Sequence, residues 1–158
     1  MDYLPNNFEK STRRLIIRQY KISDYKIWKK TFSNLPKPKN RFERLKKRSL
    51  AELTMKKFRA IINQQRKLRE DDKFYDFLVF EKKTGNIIGL VSLMGVLRRS
   101  WQKADLGYLL FNTYWGKGYG REMVKACIDV AFKKLQIHRL EAAIDKENHS
   151  SIKLAEAV

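Results

Sequence analysis

The rhythm of apolar and polar positions changes near residue 74. Before that point, short apolar clusters sit in a basic background. "RLIIRQY", residues 14–20, is a β-branched run that predicts a strand. "SDYKIWKKTF" then predicts a helix capped by Ser23, with Ile27 and Trp28 starting its apolar face. Two prolines in "NLPKPKN", residues 34–40, break it. Leu50, Leu53, Phe58, Ile61, Ile62 and Leu68 follow as one apolar stripe in a basic background, which predicts a second helix from about Phe42 to Leu68.

After residue 74 the runs lengthen. "FYDFLVFEKKTGNIIGLVSLMGV" reads as a hairpin, with strands near 76–82 and 86–96 and Thr84, Gly85 and Asn86 in the turn. "RRSWQ" is another turn, and "ADLGYLLF", residues 104–111, a third strand of an antiparallel meander. A glycine-rich turn leads into a helix over about 118–135, with Met123, Val124, Cys127, Val130, Ala131 and Leu135 on one side. "HRLEAAID" predicts a strand at 139–145, and "NHSSIKLAEAV" a turn opening a last helix. The order β-α-α-β-β-β-α-β-α predicts an α+β or mixed α/β fold in one domain, residues 1–158, without linker or repeat.

Composition narrows the class. The 158 residues are 43% apolar, enough for one core. No stretch has the 18 or so apolar residues that a membrane span needs, and the N-terminus lacks the apolar region of a secretory signal. The single cysteine, Cys127, excludes an internal disulfide and reads as a buried structural thiol. A cytoplasmic location and no metal are expected. The net charge of +18 is uneven: residues 1–75 carry 22 Lys and Arg against 8 Asp and Glu, a net of +14. The density peaks in "PKPKNRFERLKKR", residues 36–48. Such a field attracts polyanions, although a lysine-rich solvated surface would look the same.

"YWGKGYGRE", residues 114–122, stands where a strand becomes a helix. The start of a helix presents free N–H groups and partial positive charge. Gly116, Gly118 and Gly120 remove the Cβ atoms that would hold a ligand off and permit backbone that gathers N–H groups into an anion nest. Lys117 and Arg121 add full charges. A phosphate or diphosphate at this helix start is the reading favoured by the physics; a tight turn without ligand is the alternative. The spacing fails the P-loop pattern, since Tyr119 follows Gly118 where a lysine is needed. It also falls too late in the chain for a dinucleotide fold.

The stretch "LGYLLFNTYWGKGYGREMVKACIDVAFKKLQIHRLEAAIDKENHSSIKLAE" resembles the cofactor-binding half of the GNAT acyltransferases, closest to the Rim-type branch that includes N-terminal acetyltransferases of ribosomal proteins. The carriers are Trp115-Gly116-Lys117-Gly118-Tyr119-Gly120, followed at the right separation by Asn148-His149-Ser150-Ser151. The resemblance implies a GNAT-like sheet, mostly antiparallel and flanked by helices, with strands splayed at the cofactor, and acetyl-CoA as co-substrate. It places the diphosphate on N–H groups of Gly116, Lys117, Gly118, Tyr119, Gly120 and Arg121. Pantetheine would lie along strand groups near Leu110 and Phe111, with Asn148 on its amide. Ser151 would sit near the thiol and protonate the departing thiolate; a helix cap is the alternative for both Asn148 and Ser151. Asp105 is the candidate base for the acceptor amine, with Glu81 and Asp145 behind it and a surface strand acid as the alternative. His138 and His149 are residue types that can titrate near neutrality, and His138 reads as a core or capping group.

The family pattern continues past this last helix with further strands, whereas the chain ends at Val158. The expectation is an exposed sheet edge and, with it, doubt about activity. A shortened product, a second copy of the chain covering the edge as a homodimer, and cover from the first half are the three explanations. Acetyl transfer to an amine, such as a protein N-terminus, is the leading function. The basic helices expected within residues 21–69 would contact a polyanion or the ribosome. A basic nucleic-acid- or ribosome-binding module on a degenerate core is the alternative, and acyl-CoA sensing without transfer a third.

Overall fold

The computed structural model describes residues 4–158. Its centre is a six-stranded sheet in chain order, β1-β2-β3-β4-β5-β6. The strands are β1 (Glu9–Ser11), β2 (Leu15–Arg18), β3 (Phe74–Glu81), β4 (Ile87–Leu97), β5 (Lys103–Leu110) and β6 (Arg139–Glu141). Each neighbouring pair up to β4–β5 is antiparallel. β5 and β6 run parallel, joined by a crossover helix as a parallel pair requires. The helices are α1 (Tyr25–Ser33), α2 (Met55–Glu70), α3 (Tyr119–Lys133) and α4 (His149–Glu156).

β3 explains the layering. Its run "FYDFLVFE" is apolar almost throughout because both faces are covered. Tyr75, Phe77 and Val79 point into one core with Leu15, Ile17, Val91, Met123, Val124 and Cys127, the side covered by α3. Leu78 and Phe80 point into the other, with Trp28, Phe32, Leu53 and Phe58 beneath α1 and α2. The second core is aromatic: Trp28 and Phe58 have ring centres 4.7 Å apart. Cys127 is buried as expected, and desolvation pushes its thiol up to about 12, with the Asp76 charge a smaller contribution.

The meander, the hairpin turn and the helix after the glycines follow the sequence pattern. Gly85 closes the turn at φ 70, donating its N–H to the Glu81 carbonyl at 2.8 Å.

Four expectations need correction. First, the helix over 42–68 starts only at Met55, where the Thr54 hydroxyl accepts the Lys57 N–H at 3.2 Å. Leu53 reaches the core from irregular chain, and Leu50 is 62% exposed. The basic residues 36–48 therefore lie in a long non-helical segment between α1 and α2, not on helices spanning 21–69. Second, Ser23 does not cap. It lies inside a 3₁₀ turn, Ile22–Asp24. The Asp24 carboxylate accepts the Lys21 N–H at 2.8 Å and both Arg18 nitrogens at 2.7 Å. Third, the strand expected at 139–145 pairs only through Glu141. Fourth, His138 is exposed rather than in the core.

Candidate active site

β6 matches β5 at three positions, Lys103 with Arg139, Ala104 with Leu140 and Asp105 with Glu141. β5 continues for five more residues, bonded to β4 on one side and, among the described residues, to no strand on the other. The two parallel strands part at Asp105. Into the opening projects the turn that leads to α3, and a cleft of about 370 Å³ results. Tyr108, Leu109 and Leu110 of β5 line it, with Trp115, Gly116, Gly118, Gly120 and Arg121 of the turn, and Asn148, Ser151 and Leu154 at α4.

The turn's backbone suits an anion. Gly116 and Gly118 are left-handed, at φ 74 and 77, a region that side chains disfavour. Gly118 caps α3 and has no side chain to accept a first-turn N–H. Tyr119, Gly120 and Arg121 form that first turn, so their N–H groups have no carbonyl within the helix. Gly120 packs closely on α4: a Cβ there would lie 3.2 Å from Leu154 Cδ2 and press on that side chain.

Two tethers shape the end of the cleft beside β5. Trp115, whose place in the sequence suggested no role, donates its indole N–H to the Leu110 carbonyl at 2.8 Å. This fastens the turn to the end of β5. Ser151 donates its hydroxyl to Tyr108 Oη at 2.9 Å, and Tyr108 donates to the Ser151 carbonyl at 3.1 Å. Asn148 does cap α4, its Oδ1 accepting the Ser151 N–H at 3.3 Å, and it lines the cleft as well.

The structure gathers Leu110, Gly116, Gly118, Gly120, Arg121, Asn148 and Ser151 around one cleft. Phe111 is turned away into the aromatic core, and its N–H bonds the Ile88 carbonyl at 2.9 Å. Lys117 points outward, its Nζ donating to the Thr113 carbonyl at 3.1 Å. The Tyr119 hydroxyl bonds Glu81, so only the backbone of this residue serves the turn. Hydrogen bonds from Thr84 first, then from Tyr119, hold the Glu81 carboxyl below its usual range.

Asp105 stands apart from Ser151. Strand alternation puts Asp105 and Gly107 on the opposite face of β5 from Tyr108 and Leu110. Asp105 is exposed at the fork between β5 and β6, and its carboxylate has no hydrogen bond or ion pair among the described residues. The other acids nearby are engaged. Lys103 bonds Glu141 at 3.0 Å and, as the first cause, lowers its carboxyl; Arg139 pairs with it too. Asp145 accepts the Glu147 N–H at 2.9 Å. His149 is exposed at the first position of α4.

Sequence reasoning missed Tyr108, Asn40, Phe42 and Glu43 in the lining. Tyr108 was detectable, because it shares strand parity with Leu110. The other three come from the irregular segment, which folds over the cleft. Asn112 Nδ2 anchors it, donating to the Lys37 carbonyl at 2.9 Å and to Glu43 Oε2 at 2.8 Å. An Arg41–Glu147 pair bridges to the chain before α4.

No helix among the described residues is long and apolar enough to cross a membrane. No group of three or more His, Cys, Asp or Glu among them is placed to hold a metal ion.

Known proteins share this fold. The chain is 35% identical over 98 residues to the "Probable N-acetyltransferase YjcK" of Bacillus subtilis (strain 168), covering 62% of this chain and 54% of that protein. The chain spans about half the length of the curated relatives it matches. It superimposes on the ribosomal-protein-S5-alanine acetyltransferase of Vibrio fischeri with a TM-score of 0.75 and 27% identity, over 96% of this chain and 81% of that one. The fold is shared too with Mycobacterium smegmatis RimJ in complex with CoA-disulfide, at a TM-score of 0.70 and 16% identity, over 90% and 68% of the two chains. The family model for the acetyltransferase (GNAT) domain matches residues 14–158. The chain belongs to the GNAT acetyltransferase family, in which the donor is acetyl-CoA, and its structural neighbours support the Rim-type branch.

Proposed function

We propose that this chain transfers the acetyl group of acetyl-CoA to a primary amine, with a protein N-terminus as the acceptor. One observation carries the reading. The free first-turn N–H groups of α3 open into a cleft that continues along the unpaired edge of β5. That shape fits a ligand with a diphosphate at one end and an extended, amide-bearing arm at the other. The neighbouring acetyltransferase of ribosomal protein S5 supports the choice of acceptor.

The amine nitrogen attacks the thioester carbonyl carbon. The C–N bond forms, the C–S bond breaks, the nitrogen loses a proton and the thiolate gains one. Ser151, turning its hydroxyl from Tyr108 to the departing sulfur, passes its proton to the thiolate and takes one back from solvent water. Asp105 takes the proton of the amine, directly or through water. Its place at the fork gives the acceptor an approach from the α1 and α2 side, while the donor occupies the α3 and α4 side. The reaction belongs in the cytoplasm, where acetyl-CoA and nascent protein meet.

A thermal-shift titration with acetyl-CoA at moderate salt tests the reading. A saturable rise in Tm is expected; no rise overturns it. The basic segment supports a second reading, in which Lys37, Lys39, Arg41 and Arg44 contact RNA or the ribosome beside the cleft. RNA affinity would then fall steeply with salt, while acetyl-CoA affinity would change far less.

A further inference from the structure

Arg14 lies more than 100 residues before the glycine turn, at the foot of β2, and grips that turn on several sides. Its backbone N–H donates to Glu122 Oε1 and its Nε to Glu122 Oε2, each at 2.7 Å. Its Nη1 donates to the Lys117 carbonyl at 2.8 Å. The guanidinium carbon sits 4.3 Å from the centre of the Tyr119 ring. Its Nη2 lies 3.3 Å from where a Cβ on Gly118 would stand. Thr12 completes the clamp, donating its hydroxyl to Glu122 Oε1 at 2.6 Å.

The geometry of the peptide bond gives this grip a function. In a trans peptide the carbonyl of one residue and the N–H of the next point in opposite directions. Fixing the Lys117 carbonyl on Arg14 therefore turns the Gly118 N–H away from Arg14. Gly118 lines the cleft, and its left-handed backbone would otherwise be free to rotate. Glu122 remains charged to hold Arg14: burial opposes its ionisation, but hydrogen bonds from Thr12, the Arg14 N–H and the Arg14 side chain outweigh burial and lower its carboxyl.

We propose that Arg14 is a positioning residue for the donor's diphosphate, orienting the Gly118 N–H and the first turn of α3 without touching the donor itself. The inference rests on the reading of that turn as the diphosphate site. It separates Arg14 from a residue that merely stabilises the fold, because its effect should depend on whether the donor carries a diphosphate.

Two-dimensional NMR titrations with acetyl-CoA and with S-acetylpantetheine, which lacks the diphosphate, make the test. Arg14→Gln should weaken acetyl-CoA binding about tenfold, the scale of one lost charge-assisted hydrogen bond. It should leave S-acetylpantetheine binding within about twofold, because that donor never reaches the turn. Arg14→Lys, which keeps the charge but loses the fork, should resemble Arg14→Gln. Glu122→Gln should give the same donor selectivity while leaving Arg14 in place. Arg13→Gln removes an equal charge from an exposed neighbour and should leave both affinities within about twofold. Equal weakening for both donors, or unchanged acetyl-CoA binding in Arg14→Gln, overturns the inference alone. Wild-type chain that binds S-acetylpantetheine no worse than acetyl-CoA overturns the diphosphate site, and the inference with it.

Discussion

The two sides of the sheet are built by different rules. The α3 side has a largely aliphatic core, with Tyr75 and Phe77 among it, a helix of ordinary pattern and a turn whose glycines are four residues apart at most. The α1 and α2 side has an aromatic core and a partly buried carboxylate, Asp76. It also has a long irregular segment held by contacts distant in sequence. One side presents first-turn N–H groups without helical partners at a fixed glycine turn, the proposed donor site. The other presents a surface whose shape depends on a few anchors, which suits recognition of an acceptor more than grip on a constant donor.

The sharpest break of this contrast is Gly118→Asp. It forces a side chain into left-handed backbone and sets a carboxylate beside Arg14 Nη2, pulling the guanidinium off the Lys117 carbonyl and loosening the turn proposed to hold the donor. Acetyl-CoA affinity should fall by about 100-fold or more, and the thermal shift should vanish. An unchanged shift would place the donor elsewhere.

Asp76 probes the opposite side. Desolvation raises its carboxyl from 3.8 to about 6, against hydrogen bonds from Tyr20, Ser92 and the Phe77 N–H. Gln65 of α2 also faces it, and Arg66, Arg69 and Tyr75 line the same cavity of about 270 Å³. The folded chain holds this proton more tightly than the unfolded chain, so stability should fall as pH rises from about 4 to 6, by about 1–3 kcal/mol. Asp76→Asn should flatten that limb in urea melts across pH. A limb that persists in the variant would assign it to another group.

Asn112→Ala cuts the buried anchor of the irregular segment. It should cost about 1–3 kcal/mol and expose residues 36–48 to trypsin, as seen by limited proteolysis. Equal resistance to trypsin would mean that other contacts hold the segment. The smallest effect should come from Arg41→Ala. Its side chain is 65% exposed and that of its partner Glu147 is 59% exposed, so urea stability should move by about 0.5 kcal/mol or less.

Legibility in the sequence follows the same divide. The meander, α3 and the cap of α4 rest on alternation, a helical stripe and an Asn–Ser pair, all short-range signals. Leu50 and Leu53 kept helical spacing with Phe58, yet the helix starts after Thr54. Leu53 is held instead by the aromatic core, with its carbonyl accepting the Tyr25 hydroxyl at 2.9 Å. β1 escaped notice because its residues show no apolar alternation; it exists through backbone pairing with β2. β6 is short because β5 diverges from it after Asp105, which no local pattern encodes. In the cleft lining, the glycines were readable from the turn itself, and Asn148 and Ser151 only through the resemblance to the GNAT pattern. Arg14, Phe42 and Glu43 were not, since only the folded chain brings them there.

Trp115 gives the cleft an optical property. Its indole, tied to the Leu110 carbonyl, stands half-exposed at the lip of the cleft, whereas Trp28 is sealed in the aromatic core and Trp101 is out in solvent on a distant hairpin. With Trp101→Phe removing the solvent-exposed emitter, the remaining red-edge fluorescence comes from Trp115. Its quenching or blue shift would report, without any label, each arrival and departure at the lip on the stopped-flow timescale.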